Sequence, residues 1–90
     1  MRVERIIYHP DFIKEFRVLD KITQRQVMKA ADTFQANPLY PSLRLHQLKD
    51  RMIGLWSITV THRVRIIFSR FENGSVLFES VGQHDIYKHL

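Results

Sequence analysis

Ninety residues, 44% of them hydrophobic and 26% charged, with no cysteine, fit one small domain spanning 1–90 and exclude a two-domain enzyme, a disulfide framework and thiolate chemistry. Fourteen basic residues against nine acidic ones leave a net charge of +5, which favours a polyanionic partner. Residues 1–43 carry +2, residues 44–70 carry +5 and residues 71–90 carry −2, so the excess equals the charge of the middle third. A solvated positive face is the plain alternative to a binding surface.

In chain order, Val3 to Tyr8 is rich in β-branched and aromatic residues and predicts a short strand, stopped by Pro10. His9-Pro10-Asp11 has the composition of a helix start, with His9 as the cap, and Phe12, Ile13, Phe16 and Leu19 then share one helical face for about three turns. A second helix is expected from a Thr23/Gln26 capping box and an Ile22/Val27 staple. Its stripe is Val27, Ala30, Ala31 and Phe34, and Asn37-Pro38 ends it.

Beyond Pro41 the period becomes two. Leu43 and Leu45 alternate with Arg44 and His46, followed by a loop through Lys49, Asp50, Arg51 and Gly54. In the next strand Trp56, Ile58 and Val60 face one way, and Ser57, Thr59 and Thr61 the other. In the fourth, Val64, Ile66 and Phe68 oppose Arg63, Arg65 and Ser69, with Ile67 between. Asn73-Gly74 predicts a tight hairpin, and the last strand, Ser75 to Val81, is apolar on both faces and therefore central, ending at Gly82. One strand, two helices and four strands make an α+β sandwich whose helices cover one sheet face. Arg2, Glu4 and Arg5 break any N-terminal apolar run, and nothing approaches the roughly 20 apolar residues of a membrane span, so a cytoplasmic protein with no membrane partner is expected.

On that layout the uncovered face displays Arg63 and Arg65 with Ser57, Thr59, Arg44 and His46. Two arginines at i and i+2 on a strand stand roughly 7 Å apart on one side, a spacing that suits a phosphate backbone. Outward arginines that only keep a sheet soluble are the competing explanation. In the ending Gly82-Gln83-His84-Asp85-Ile86-Tyr87, His84 could act as general acid or phosphate contact, Asp85 could orient a histidine and Tyr87 could stack on a base. Equally, Tyr87 and Leu90 could pack a terminal helix that His84 caps. There is no glycine-rich phosphate loop or nucleophile elbow, and His46, His62 and His84 are too scattered to make more than a weak zinc set.

Taken together, His9-Pro10-Asp11-Phe12, Leu45-His46-Gln47-Leu48-Lys49-Asp50, Gly54-Leu55-Trp56-Ser57-Ile58, His62-Arg63-Val64-Arg65-Ile66-Ile67-Phe68 and Val81-Gly82-Gln83-His84-Asp85-Ile86-Tyr87 resemble the RelE/ParE superfamily of type II toxins over nearly the full length. The resemblance implies a RelE-like fold and cleavage of messenger RNA, usually on the ribosome, by metal-independent attack of a 2′-hydroxyl, with no cofactor. It also implies a cognate antitoxin with an acidic, partly disordered segment. By the same resemblance Arg63 stabilises the phosphate, His84 is the acid and Tyr87 the stacking aromatic. His46 and His62 are further catalytic candidates, and Arg44, Lys49, Arg51 and Arg65 are RNA contacts. Several RelE-like nucleases carry two lysines at alternate positions of the third strand, where this chain has Ser57 and Thr59, which leaves the general base open between His46 and His62. The alternatives are a ParE-like gyrase poison or a non-catalytic homologue that only binds its antitoxin.

Overall fold

The computed structural model of the protein describes residues 1–83, so the expectations for His84, Asp85, Tyr87 and Leu90 lie outside the described residues. Its elements are β1 (Arg5–Tyr8), α1 (Pro10–Arg17), α2 (Lys21–Ala36), β2 (His46–Gln47), β3 (Leu55–Thr59), β4 (Val64–Arg70) and β5 (Ser75–Gln83). They form the expected α+β fold, with one five-stranded sheet in the order β1-β5-β4-β3-β2, antiparallel except for the parallel β1–β5 pair. Among the described residues no helix is long and apolar enough to cross a membrane.

Local chemistry sets the helix boundaries. His9 caps α1, its Nδ1 accepting from the Asp11 N–H at 2.9 Å, with Pro10 in the first turn, as the sequence predicts. The start of α2 differs from expectation. Its cap is Asp20, whose Oδ1 accepts from the Thr23 N–H at 2.7 Å, so Thr23 lies inside the first turn and is no cap. An aspartate three residues before a suitable amide takes the helix start ahead of a threonine box because its carboxylate also meets the positive end of the helix dipole. Asn37 ends α2 before Pro38, as expected.

Burying the α2 stripe brings Val27, Ala30, Ala31 and Phe34 onto Ile58, Ile66, Phe68, Val76, Phe78 and Val81 of the sheet. The Phe34 ring lies 4.9 Å from Phe68 and 5.9 Å from Phe78, and Phe12 of α1 lies 5.5 Å from Phe78. This is the face that the alternation of Ile58, Val64, Ile66 and Phe68 predicts. The Asn73-Gly74 hairpin also forms, closed by the Gly74 N–H on the Phe71 carbonyl, with Gly74 at φ 87°, a left-handed value that favours glycine.

Three expectations fail. The strand predicted from Leu43 to His46 shrinks to His46–Gln47, because Pro41–Leu43 winds into a 3-10 turn and Arg44 takes a left-handed conformation (φ 47°) that breaks the alternation. Arg63 is not on β4, which begins at Val64, so the Arg63/Arg65 strand pair does not exist. The face away from the helices is also not wholly open, since Leu48 and Ile67 are buried on it beneath Met52 and Leu55. β5 is an interior strand over Ser75–Phe78, as predicted, but its mixed pattern has a second cause. Ile67 pairs with Ser80 while Phe68 pairs with Phe78, so Glu79 is an extra residue in a bulge that lets both Phe78 and Val81 point into the core.

Phe34 is fully buried at the meeting point of α2, β4 and β5. Phe34→Ala is expected to cost about 3–5 kcal/mol, enough to leave a domain of this size largely unfolded, which urea denaturation followed by circular dichroism will show. The Thr23 amide holds the Asp20 carboxyl below the ordinary aspartate range. Its contribution is therefore full above about pH 3.9, the unfolded value, and is lost as pH falls through the lower folded value. Asp20→Ala should lower the melting temperature by a few degrees at pH 7, and the difference should close in strong acid.

Candidate nucleic-acid interface

Strand register decides which side chains share the face opposite the helices. His46 pairs with Ser57, Ser57 with Ile67, and Ile67 with Ser80, forming one row across four strands. The next row is Thr59, Arg65 and Gly82. The first row sets Ser57 between His46 and Ile67, and the second sets Arg65 between Thr59 and Gly82, so these small residues, with Ser57 and Ser80 nearly buried, make a low floor with His46 on one side and Arg65 rising through it. The Cα atoms of His46 and Arg65 are on the order of 12 Å apart by sheet geometry, two strands across and one row along, a gap that a sugar-phosphate unit can bridge.

The β3–β4 connection closes this end of the sheet. The Val64 N–H donates to the Thr61 carbonyl at 3.2 Å and the Val60 N–H to the Val64 carbonyl at 2.9 Å, so His62 and Arg63 are the central residues of a tight turn. The Thr61 hydroxyl oxygen accepts from the Arg63 and Val64 amides at 3.2 and 3.1 Å, and both His62 and Arg63 face solvent. Arg65 has a different role from the one its position suggests. Its guanidinium donates to the Thr61 carbonyl at 2.6 Å, pinning the turn that carries Arg63. A local signal for this turn existed in the sequence, a threonine opening a four-residue turn, but the strand alternation masked it.

The structure thus divides the expected site residues into two groups. His46, His62, Arg63 and Arg65, with exposed Arg44 just before β2, gather at the Thr59 end of β3. Lys49 and Arg51 lie in the 3-10 turn that joins β2 to β3, with Lys49 about 10 Å along the chain from His46 and both roughly the 17 Å length of a five-residue strand from Thr59 and Arg65. They cannot hold the same phosphate. β5 ends at Gln83, paired with Val64 beside the Arg63 turn, and the expected acid His84 and stacking residue Tyr87 lie outside the described residues.

Two carboxylates border the floor that sequence patterning did not assign. Glu79, carried by the bulge, accepts from the Ser69 hydroxyl at 2.7 Å. Glu15 of α1 reaches β5 past the point where β1 stops pairing, accepting from the Ser80 hydroxyl at 2.8 Å and the Val81 N–H at 3.1 Å. It stands in for the missing strand by satisfying an edge amide. Neither acid forms an ion pair with the arginines. Among the described residues the one ion pair involving a lysine or arginine is Arg2–Glu4, and no described carboxylate lies within ion-pair distance of Arg44, Arg63 or Arg65.

This fold and its site can be set beside solved proteins. YafQ from Escherichia coli strain BL21(DE3) superimposes with a TM-score of 0.76 at 19% identity, covering 97% of this chain and 98% of that one. The YoeB–YefM toxin-antitoxin complex from Staphylococcus aureus gives 0.71 at 18%, covering 93% and 99%. The archaeal RelE–RelB complex from Pyrococcus horikoshii OT3 gives 0.71 at 16%, covering 92% and 96%. No family model and no curated protein sequence matches the chain. At these identities the similarity establishes the fold, over 92–97% of this chain and 96–99% of those chains.

Among the described residues, Glu15 is the one side chain of α1 hydrogen-bonded to the open edge of β5. Glu15→Ala should leave the Val81 amide exchanging about ten- to a hundredfold faster in hydrogen exchange, while Glu15→Gln, which keeps an acceptor oxygen, should retain most of the protection.

Proposed function

We propose that this protein, whose fold is shared over more than nine-tenths of its length with RelE-, YoeB- and YafQ-type toxins, is the toxin of a type II toxin-antitoxin pair and cleaves messenger RNA on the ribosome. One observation carries this reading. Arg44, His46, His62, Arg63 and Arg65 converge at one end of the sheet around a floor of small residues, with no carboxylate paired to the arginines among the described residues.

The chemistry that suits this cluster is attack of a 2′-hydroxyl on its own 3′-phosphate. A base takes the 2′-proton, the new O2′–P bond forms as the P–O5′ bond breaks, and an acid returns a proton to the 5′-oxygen. The products are a 2′,3′-cyclic phosphate and a 5′-hydroxyl. Arg63, presented at the tip of a pinned turn, is the group to neutralise the charge that builds on the equatorial oxygens, and Arg65 is the residue that holds it there. His46 and His62 flank that position and compete for the role of base. His84, which follows Gln83 in the chain, is assigned as the acid, and Tyr87 as the stacking aromatic. Arg44 serves the scissile end, while Lys49 and Arg51, a strand length away, contact a distant part of the message or the ribosome.

The partner that neutralises such a surface is a cognate antitoxin with an acidic, partly disordered segment that folds on binding and covers Arg63. The S. aureus neighbour is a toxin-antitoxin complex, which supports this pairing. A ParE-like mode, binding gyrase without chemistry, draws support from Ser57 and Thr59, which put hydroxyls where several RelE-like nucleases have lysines.

Induced expression should halt translation and leave cut messages, mapped by primer extension. Arg63→Ala or His84→Ala should lower cleavage by about 10²- to 10⁴-fold and restore growth with antitoxin binding intact. DNA damage with intact messages, unaffected by His84→Ala, would instead establish the gyrase mode.

A further inference from the structure

A second positively charged surface lies on α2, away from the sheet face. Lys21, Arg25 and Lys29 repeat at i, i+4 and i+8, all exposed, so they form a ridge about 12 Å long with cations about 6 Å apart. None has a carboxylate within ion-pair distance among the described residues, and Asp32 is the helix's only acid. At Lys29 the ridge opens into a groove of about 600 Å³ between α2, the 3-10 turn and the end of β3. Gln26, Lys29 and Thr33 form one wall, Tyr40 and Ser42 the other, and Thr59 and Val60 the end nearest the Arg63 turn.

Tyr40 is held in place by its backbone, its N–H on the Asn37 carbonyl and its carbonyl receiving the Leu43 N–H, both at 3.0 Å, yet half of its surface is exposed. A half-exposed ring on an anchored stretch of backbone, in a groove that leads from a regular row of cations, is an arrangement that can stack a base and follow a phosphate backbone. The apolar lining, Ala30, Leu43 and Val60, is small or buried at the base of the groove, and what projects along the path out of it is the row of cations, which favours a polyanionic strand over an apolar-anchored peptide.

We propose that the groove and the α2 ridge bind a single-stranded RNA segment flanking the bond held at Arg63, as a second subsite. The strand passes from the Arg63 turn over Thr59 and Val60, stacks a base on Tyr40, and lays successive phosphates against Lys29, Arg25 and Lys21. The proposal rests on the RNA-cleaving function proposed above, and the test separates the two.

Full-length protein with Arg63 intact is titrated with fluorescent 12-nucleotide and 4-nucleotide single-stranded RNA, fully 2′-O-methylated so that no 2′-hydroxyl can attack and the RNA survives, at several salt concentrations. Adding Lys21→Glu, Arg25→Glu and Lys29→Glu should weaken the 12-mer tenfold or more and reduce the slope of log K against log salt by about 2, at about 0.7 per single-strand phosphate, without changing 4-mer binding. Tyr40→Ala should weaken the 12-mer severalfold with the slope unchanged. Lys29→Glu alone reports the same effect at reduced size if the triple variant is poorly folded. Unchanged 12-mer affinity and slope in both charge variants overturn the proposal. So does displacement by polyglutamate as effective as by polyuridylate, which would make this an acidic-peptide surface. Loss of 4-mer binding alone, with ridge-dependent 12-mer binding intact, removes the cleavage-site assignment and leaves the groove standing.

Discussion

β4 is buried on both sides at once. Ile66 and Phe68 face the helices and Ile67 lies under Leu48 on the other face, all three without solvent exposure. A shift of one residue in its pairing would carry Ile66 and Phe68 away from Phe34 and put Arg65 into the helix-facing core, so the register is locked by burial on both faces. That lock sets every position on the floor. Ser57 opposite Ile67, Thr59 opposite Arg65 and Gly82 beyond it are consequences of where three hydrophobic side chains must go.

With the register set, two smaller devices shape the end of the sheet. The bulge at Glu79 shifts the parity of β5 so that Phe78 and Val81 both reach the core, leaving Ser80 and Gly82 as the small residues of the open face. The bond from Arg65 to the Thr61 carbonyl ties a half-buried guanidinium to the turn that presents Arg63. Under the function proposed above, a turn held before substrate arrives lowers the ordering that a developing phosphorane charge would demand of its partner. Glu15 then closes the edge left by the short β1, joining α1 to the last turn-adjacent stretch of β5.

Periodicity made the core legible from sequence because burial and alternation are the same fact for Ile58, Ile66 and Phe68 on one face and for the Val27–Phe34 stripe of α2. Punctuation by Pro10, Asn37-Pro38 and Asn73-Gly74 placed the ends of elements correctly for the same reason, since each acts through its own φ/ψ or missing amide. What escaped was non-local or competitive. Asp20 outcompetes Thr23 as a cap, the left-handed Arg44 cancels a plausible strand, and the Glu79 bulge breaks alternation in a way that resembles two-sided burial. Arg63 fell on the wrong side of a strand boundary because a Thr61 turn overrode the alternation that continues smoothly through it. Glu15 could not be found at all, because nothing in a helix sequence tells which strand edge it will meet. The positive excess between residues 44 and 70 was visible from composition, but its division into one group with Arg44, Arg63 and Arg65 at the Thr59 end of β3 and another with Lys49 and Arg51 at the opposite end needed the hairpin connections.

The central claim is that the cations and histidines around the Ser57–Thr59 floor activate a 2′-hydroxyl of RNA. The end groups of the cut message test it most directly, because internal attack and attack by water leave different ends. Purified full-length protein is incubated with programmed ribosomes and a defined message, and both ends of each fragment are identified by enzymatic end-labelling and mass spectrometry. A 2′,3′-cyclic phosphate, or the 3′-phosphate it opens to, paired with a 5′-hydroxyl is the predicted result, unchanged by EDTA added under conditions that keep the ribosome intact. Fragments ending in a 3′-hydroxyl and a 5′-phosphate, or a message that stays whole, would contradict it.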